Sequence, residues 1–267
     1  IGADLNTGQR AWWVECHLGP LIRDGYRRHC DENTITEYIL KTLERLFPPY
    51  ADPALFFSNS PHVVCRPYKL RGEMEKKYGD IGLILDIRFS DGSRHLGVGI
   101  LEAKKRYING GKFEGFRFEQ ARDINNNAPF SFFLLYDYQP ANQSWRDVDL
   151  SFRESVIGGQ VAWHTQAIVV PSSIVVAKKR LDVDLYKFAL PLSYQLCFRY
   201  FRGFDLHYAD TLQEALEYAR TQQVEYLLAV TVAHGDEQSE AVIDVGEDFE
   251  SIECDVADGV FDEHWPE

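Results

Sequence analysis

Two apolar segments decide the fold: GDIGLILD at residues 79–86 and GVGILEAK at residues 97–104. Asp80 lies at the start of the first segment, and Glu102 and Lys104 lie at the end of the second. Apolar strands seldom contain ionised groups unless these are paired, exposed to water or part of a functional site. The two segments therefore predict neighbouring β-strands that carry a functional site.

The surrounding sequence predicts further helices and strands. The turn sequence SDGS at residues 90–93 joins the two segments into a hairpin with strands at 79–89 and 96–104. Apolar residues recur at helical spacing up to position 47, after the capping sequence DEN at 31–33 and before two prolines. The other predicted elements are strands at 62–68 and 131–138, a strand at 167–177 interrupted near Pro171, and helices at 116–126 and 211–220. The last helix leads into an apolar run at 225–233.

The register of the hairpin determines which side chains meet. Because strand side chains alternate between faces, Glu102 and Lys104 share one face of their strand. Pairing Ser90 with Arg94 around a three-residue loop places Asp80 opposite Lys104, with the three charged groups on one face. A four-residue loop would offset them unless a β-bulge restored the alternation.

The types of these residues indicate a metal-dependent hydrolase. Two neighbouring carboxylates repel each other unless a positive charge lies between them, and such oxygen ligands suit Mg²⁺ or Mn²⁺. A bound metal would generate or position a hydroxide. The Lys104 ammonium could orient that water beside a phosphate or stabilise the developing charge. The set therefore predicts metal-assisted hydrolysis of phosphodiester bonds.

These residues resemble the PD-(D/E)XK, or restriction-endonuclease-like, nucleases. Asp80 is similar to the lone aspartate of that family, and Glu102-Ala103-Lys104 is similar to its Glu-x-Lys element. Gly79 stands where the family name has proline. The order helix, three strands, helix, strand over residues 31–138 also resembles the family. The resemblance implies an α/β fold with a restriction-endonuclease-like core. It leaves the C-terminal half unassigned, and we predict a C-terminal α/β extension there.

The resemblance also implies roles for individual residues. Asp80, Glu102, the Ala103 carbonyl and Glu37 would bind Mg²⁺ or Mn²⁺. Lys104 would activate or position the attacking water, and Gln120 is similar to a glutamine found in several members. DNA is the implied substrate; restriction, phage defence and DNA repair are all open as biological settings, with phage defence favoured.

Three alternatives accompany this interpretation. Asp86, in the same strand as Asp80, competes for the role of the aspartate ligand. The chain could instead be a catalytically inactive nuclease-fold module that binds nucleic acid or protein. It could also be an unrelated α/β protein in which the same charges serve only solubility or a protein contact.

The net charge of −13 is unevenly distributed. Residues 1–150 contain 20 Lys/Arg and 20 Asp/Glu, whereas residues 151–267 contain 8 and 21. The first half can therefore present a basic face to phosphate groups, although ordinary solvated loops are the alternative. The candidate phosphate-binding residues are Lys104-Lys105-Arg106-Tyr107, Lys112, Arg117 and Arg122, with a second basic run at Lys178-Lys179-Arg180.

The domain prediction divides the chain into an N-terminal extension (1–30), a nuclease core (31–138), a C-terminal α/β extension (139–235) and an acidic C-terminal segment (236–267). The acidic half could contact a protein partner or a second copy of the chain, or its last segment could shield the basic site. Widely spaced cysteines and the lack of a leader or a long apolar segment favour a cytoplasmic protein without a membrane span.

Overall fold

A mixed sheet of nine strands organises the part of the chain that the computed structural model describes, residues 2–49, 61–71, 79–141, 165–234 and 243–252. The strands are β1 (His62–Leu70), β2 (Ile81–Arg88), β3 (Arg94–Lys105), β4 (Phe132–Tyr136), β5 (Ala167–Pro171), β6 (Leu190–Pro191), β7 (His207–Ala209), β8 (Tyr226–Ala233) and β9 (Phe249–Ser251). Their order is β6-β5-β4-β3-β2-β8-β1-β9, and β7 pairs with β3. The pairs β2–β8 and β3–β4 are parallel, and the others are antiparallel.

Helices cover both faces of the sheet. They are α1 (Gly2–Arg27), α2 (Glu32–Leu46), α3 (Phe118–Asn127), α4 (Ser172–Lys178), α5 (Leu192–Tyr194) and α6 (Leu212–Thr221). A 3-10 helix (Val183–Phe188) follows α4. Helix α5 continues into a π-helical stretch (Gln195–Arg199) and a 3-10 turn (Tyr200–Arg202).

The alternation of side chains along β2 separates the layers. Leu83 and Leu85 belong to the core beneath α1, α2 and the helical stretch that begins with α5. Ile84 lies in a second core with Ala215 and Ala219 of α6. Helices α3 and α4 cover the same face as α6, over β4 and β5. Residues with even numbers in β2 and β3 therefore point towards α3 and α6.

Most of the predicted elements are confirmed, including α2, the hairpin β2–β3, α3, β4 and α6, and the apolar run at 225–233 forms β8. Helix α2 begins where the capping sequence predicts, because Asp31 Oδ1 accepts a hydrogen bond of 2.8 Å from Thr34 N. The chain is a mixed α/β protein, as expected. Among the described residues, no helix is both long and apolar enough to cross a membrane.

Two local predictions need correction. The strand predicted at 167–177 ends at Pro171, and α4 begins at the next residue. Proline has no N–H to donate to a sheet but is well suited to the start of a helix. The sequence analysis also assigned no helix to residues 1–30, where α1 forms because Val14, Leu18 and Leu21 follow helical spacing and are buried against the sheet.

The sheet does not follow the division that the sequence suggested after residue 138. Strand β8 lies between β2 and β1, and its full length pairs with β2, from Ile81↔Tyr226 to Arg88↔Ala233. All eight residues of β8 are buried, as expected for a strand with neighbours on both sides. The C-terminal half therefore completes the same sheet as the first half.

The described part of the acidic C-terminal segment lies at one edge of this sheet. Strand β9 pairs with β1, and Asp248 contacts Arg220 at 2.9 Å. Four strand spacings separate β9 from β3, which amounts to about 19 Å. Residues 243–252 therefore do not cover the end of β3; residues 236–242 and 253–267 lie outside the described part of the chain.

Glu15 is a buried carboxyl group in the packing between α1 and the start of α5. Its Oε2 accepts a hydrogen bond of 2.7 Å from the Ser193 hydroxyl. Burial disfavours the charged form and raises the pKa of Glu15 to about 7, although the bond from Ser193 opposes the shift. The folded state therefore binds a proton at Glu15 more tightly than the unfolded chain does.

We expect Glu15→Gln to remove a pH dependence of stability. The wild-type free energy of unfolding should fall as pH rises from about 4.5, the unfolded pKa, to about 7, by about 3 kcal/mol at most. Glutamine cannot ionise, so the variant should lack this loss. Urea unfolding at pH 5 and pH 8 measures it, with the exposed Glu119→Gln as control; an unchanged pH dependence in Glu15→Gln would contradict the assignment.

Candidate active site at the end of the β2–β3 hairpin

Asp80 lies immediately before β2 and is fixed against the end of β3. Its backbone N donates to the Leu101 carbonyl at 2.9 Å. Its carboxylate accepts a hydrogen bond from Ala103 N, at 2.8 Å from Oδ2. The side chain is therefore oriented by the backbone of the residue between Glu102 and Lys104.

The observed register brings Asp80 beside Glu102 rather than Lys104. The pairing runs from Ile81↔Leu101 to Arg88↔Arg94, so the predicted pairing of Ser90 with Arg94 is wrong by two residues. The turn forms one residue earlier than predicted, because the Asp91 carboxylate accepts a hydrogen bond of 2.9 Å from Ser93 N. A shift of two residues preserves the alternation, so the predicted common face of the three charged residues is confirmed.

Gly79 has a steric role at the entry to this strand. Its φ is +154°, and a Cβ atom there would lie 2.6 Å from Ile100 Cγ2. Proline fixes φ near −65° and could not adopt this conformation. The glycine at this position is therefore required by the close approach of the backbone to β3.

Oxygen atoms converge on the ammonium group of Lys104. Lys104 Nζ lies 2.6 Å from Glu102 Oε1 and 2.5 Å from the Ala103 carbonyl oxygen, to which it donates. It also lies 3.5 Å from Glu32 Oε1 and 3.8 Å from Asp80 Oδ2. We call Glu32, Asp80, Glu102 and Lys104 the Lys104 cluster.

Burial makes the charges of this cluster interdependent. The side chains of Asp80, Glu102 and Lys104 are 7%, 2% and 9% exposed. Burial, together with repulsion from Asp80, raises the pKa of Glu102 to about 7, and burial also raises the pKa of Glu32 to about 7. Burial alone would lower the pKa of Lys104, but the three carboxylates outweigh it and raise that pKa, so Lys104 remains an ammonium ion.

Gln120 extends from α3 to the same carboxylate. Its Nε2 donates a hydrogen bond of 2.8 Å to Glu102 Oε1. Ala121 and Ile124 are buried beneath α3 and fix the helix against the sheet, which holds Gln120 beside β3. Glu102 Oε1 thus accepts a hydrogen bond from Gln120 and forms an ion pair with Lys104, and together these restrict the orientation of the carboxylate.

The acidic residue that α2 contributes is Glu32 rather than Glu37. Glu37 Oε1 accepts hydrogen bonds from Lys69 Nζ at 2.7 Å and from the Tyr226 hydroxyl at 3.0 Å. Glu32 Oε2 instead accepts one of 3.1 Å from Lys105 N. Five residues rotate a helix by about 140°, so the two carboxylates point in different directions. The structure therefore does not bring Glu37 to the cluster, and it brings Glu32, which the sequence analysis did not select.

Asp86 forms ion pairs with two arginines at the other end of β2. It lies six residues beyond Asp80, about 20 Å along the strand. Arg88 and Arg94 each approach its carboxylate to 2.6 Å, and the side chain is 1% exposed. Asp86 is therefore a buried partner of two arginines, distant from the Lys104 cluster.

Two of the basic residues predicted to contact phosphate have internal partners. Lys105 points to the opposite face of the sheet, where its Nζ donates to the Cys30 carbonyl at 2.7 Å. Arg106 binds the Asp137 carboxylate, at 2.8 Å to Oδ2, and the Gly110 carbonyl at 2.6 Å. The other candidates in this region, Lys112, Arg117 and Arg122, are exposed.

The comparisons with known proteins found no match. No protein-family model, curated protein or solved structure matches the chain. The chemistry of the Lys104 cluster therefore rests on its own geometry.

The donor atoms of the cluster are oxygens, the atom type that hard cations bind, but an ammonium group occupies their centre. Within the described residues, no three acidic, histidine or cysteine side chains form a ready metal site. The carboxylates of Asp80, Glu102 and Glu32 and the Ala103 carbonyl are nevertheless the oxygen ligands that Mg²⁺ and Mn²⁺ prefer. The flexible stem of Lys104 would allow Nζ to leave the centre and a cation to replace its charge.

We expect Lys104→Ala to unfold more readily than wild type in metal-free buffer, by about 3 kcal/mol or more, because it leaves buried carboxylates without a counterion. Adding Mn²⁺ should then raise the melting temperature of this variant more than that of wild type. Lys105→Ala, which removes a neighbouring lysine with a carbonyl partner, is the control. Equal responses of the two variants to Mn²⁺ would show that the cluster does not bind the ion.

Proposed function

We propose that this chain is a metal-dependent nuclease that hydrolyses DNA at the Lys104 cluster. The observation that supports the proposal is the convergence of three carboxylates and the Ala103 carbonyl on the Lys104 ammonium. The succession α2, β1, β2, β3, α3, β4 also follows the order helix, three strands, helix, strand on which the resemblance to restriction-endonuclease-like nucleases rests. In this proposal β8 and α6 are additions that complete the sheet and cover it.

The residues of the cluster would have different roles in the reaction. Asp80, Glu102, Glu32 and the Ala103 carbonyl would hold Mg²⁺ or Mn²⁺. When bound, the ion would act as a Lewis acid and lower the pKa of a coordinated water. Once displaced from the centre, Lys104 would donate hydrogen bonds to the attacking water or to a phosphate oxygen.

Gln120 would act as a positioning residue. Its bond to Glu102 Oε1 restricts the orientation of the carboxylate. The Ala103 N–H does the same for Asp80. Both carboxylates would thus be preorganised, which reduces the reorganisation needed during the reaction.

The free-energy cost of burying the charges of the cluster favours a catalytic role over an inactive module of the same fold. Replacing a buried ionic group with well-packed apolar residues is often neutral or stabilising. An inactive binding module would gain nothing for its stability from charges at Asp80, Glu102 and Lys104. The retained cluster therefore supports chemistry at this point of the sheet.

We expect wild-type protein to cleave plasmid DNA in the presence of Mg²⁺, and Glu102→Gln to lose at least about 100-fold in single-turnover rate, because it removes a charged ligand. Lys104→Ala should lose cleavage but keep most DNA binding. Glu119→Gln, an exposed carboxylate beside Gln120, is the matched control.

The same assay distinguishes the alternatives. DNA binding without cleavage in wild type would indicate a binding module. Neither binding nor cleavage would indicate an unrelated protein. Equal rates for Glu102→Gln and Glu119→Gln would exclude the Lys104 cluster as the active site.

The two carboxylates of α2 provide a second test. We expect Glu32→Gln to reduce cleavage by about tenfold or more, because Glu32 faces Lys104, and Glu37→Gln to have a much smaller effect, because Glu37 binds Lys69 and Tyr226. Initial rates at saturating Mg²⁺ measure both. A larger loss in Glu37→Gln would assign the helical ligand to that residue.

A further inference from the structure

Two basic stretches that lie far apart in the sequence meet on the surface next to the Lys104 cluster. Val183 N donates to the Gly111 carbonyl at 3.0 Å, and Lys112 and Asp182 form a β-bridge. These bonds join the loop 106–113, directly after β3, to the segment 178–188. We define the basic surface as six exposed side chains of the two stretches: Tyr107, Lys112, Lys178, Lys179, Lys187 and Phe188. Ile108, Asn109, Arg180 and Asp184 are also exposed in these stretches.

The basic surface flanks the cluster on the same side of the sheet. Phe113 and Leu185, which anchor its two parts, pack in one core with Phe133 of β4. In the parallel register of β3 and β4, Phe133 is the partner of Glu102. A polymer bound at the cluster could therefore continue onto this surface across one strand.

The lysines of this surface are free to bind anions. Within the described part of the chain, none of its four lysines has a carboxylate at ion-pair distance, whereas the neighbouring Arg180 contacts Asp182 at 3.4 Å and Asp184 at 2.9 Å. A concentration of unneutralised lysines in a chain of net charge −13 favours a polyanionic partner.

The ammonium groups of two of these lysines lie near the ring of Phe188. Its ring is 39% exposed, and Lys178 Nζ and Lys187 Nζ lie 5.4 Å and 5.3 Å from the ring centre. Attraction of each ammonium to the ring offsets the repulsion between them. Phosphates of a phosphodiester backbone that contacted these ammonium groups would neutralise them, so the arrangement suits such a backbone.

Tyr107 supplies an exposed aromatic ring on a loop of fixed shape. Its side chain is 49% exposed, while its backbone N donates to the Lys112 carbonyl at 3.1 Å. Arg106 binds the Gly110 carbonyl, and Asn109 N donates to the Tyr138 hydroxyl at 3.2 Å. An exposed aromatic ring on a surface that also carries lysines is typical of proteins that bind single-stranded nucleic acids, whose unpaired bases stack on the ring. In a duplex the faces of the bases are covered by neighbouring bases and cannot stack on it.

We propose that the basic surface holds a single-stranded segment of the nucleic-acid substrate beside the Lys104 cluster. Lys112, Lys178, Lys179 and Lys187 contact its phosphates, and a base stacks on Tyr107. The inference rests on the proposed function, because it takes a nucleic acid as the ligand of that site. It adds that the substrate has an unpaired stretch next to the bond that is cleaved.

Fluorescence anisotropy of the full chain tests this with a labelled single-stranded DNA and the matching duplex, in EDTA so that no cleavage occurs. Wild type should bind the single strand more tightly than the duplex. Lys178→Glu/Lys179→Glu should weaken single-strand binding at least about tenfold at low salt. It should also make the slope of log affinity against log salt shallower by about 1.4, which corresponds to two phosphate contacts. Tyr107→Ala should cost about fivefold or more on the single strand and little on the duplex.

The matched control is Arg23→Glu/Arg27→Glu, two exposed arginines of α1 on the opposite face of the sheet, which changes the net charge equally. Equal losses in the two double variants, or no effect of Tyr107→Ala on single-strand binding, would overturn the inference. Lys187→Glu, at the same ring as Lys178, should act in the same direction, and circular dichroism verifies that each variant is folded.

The two proposals can fail separately. If the variants alter single-strand binding as expected but wild type cleaves no DNA with Mg²⁺, the nuclease function is wrong and the binding surface stands. If wild type cleaves DNA and the surface variants bind like wild type, the surface is wrong and the nuclease function stands.

Discussion

The ammonium group of Lys104 is the charge on which the candidate site depends. Three carboxylates from three parts of the chain lie within 4 Å of it, in a region almost closed to water. Each ion would cost several kcal/mol to bury alone, and the lysine offsets part of that cost. The rest is expressed in the pKa values of Glu102 and Glu32, which burial raises to about 7. The ammonium group therefore stabilises the meeting of the start of α2, the start of β2 and the end of β3. Lysine supplies this positive charge in the protein alone, and a divalent ion could take over the same task.

The face on which the charges lie was predictable from the sequence, whereas their exact pairing was not. Strand alternation has a period of two, so a register error of two residues leaves Asp80, Glu102 and Lys104 on one face. The pairing itself depends on the turn, where the bond from Ser93 N to Asp91 selects one loop among several similar ones. Local hydrogen bonds of this kind are weak signals in a sequence, because neighbouring Ser, Asp and Gly residues permit alternative turns.

The remaining differences arise from contacts between distant parts of the chain. Periodicity predicted α2 correctly, but the rotation of the helix against the sheet decides that Glu32 rather than Glu37 faces Lys104. Likewise, the sequence showed an apolar run at 225–233, but nothing local indicates that it forms β8 and enters the sheet between β1 and β2. Because this pairing between distant segments cannot be seen in the sequence, the sequence interpretation divided the chain into a core and an extension, although both belong to one sheet.

The sheet also separates the described acidic residues near β9 from the lysines that we propose to bind a polyanion. The described acidic residues near β9 lie about 19 Å from β3, while the lysines of the basic surface lie beyond β3 in the other direction. At physiological ionic strength the Debye length is about 8 Å, so charges at the far edge are largely screened at the site. A phosphate on the basic surface would therefore respond to the lysines there far more than to the overall charge of −13. Net charge alone is a poor guide to the partners of a chain whose charges the fold separates in this way.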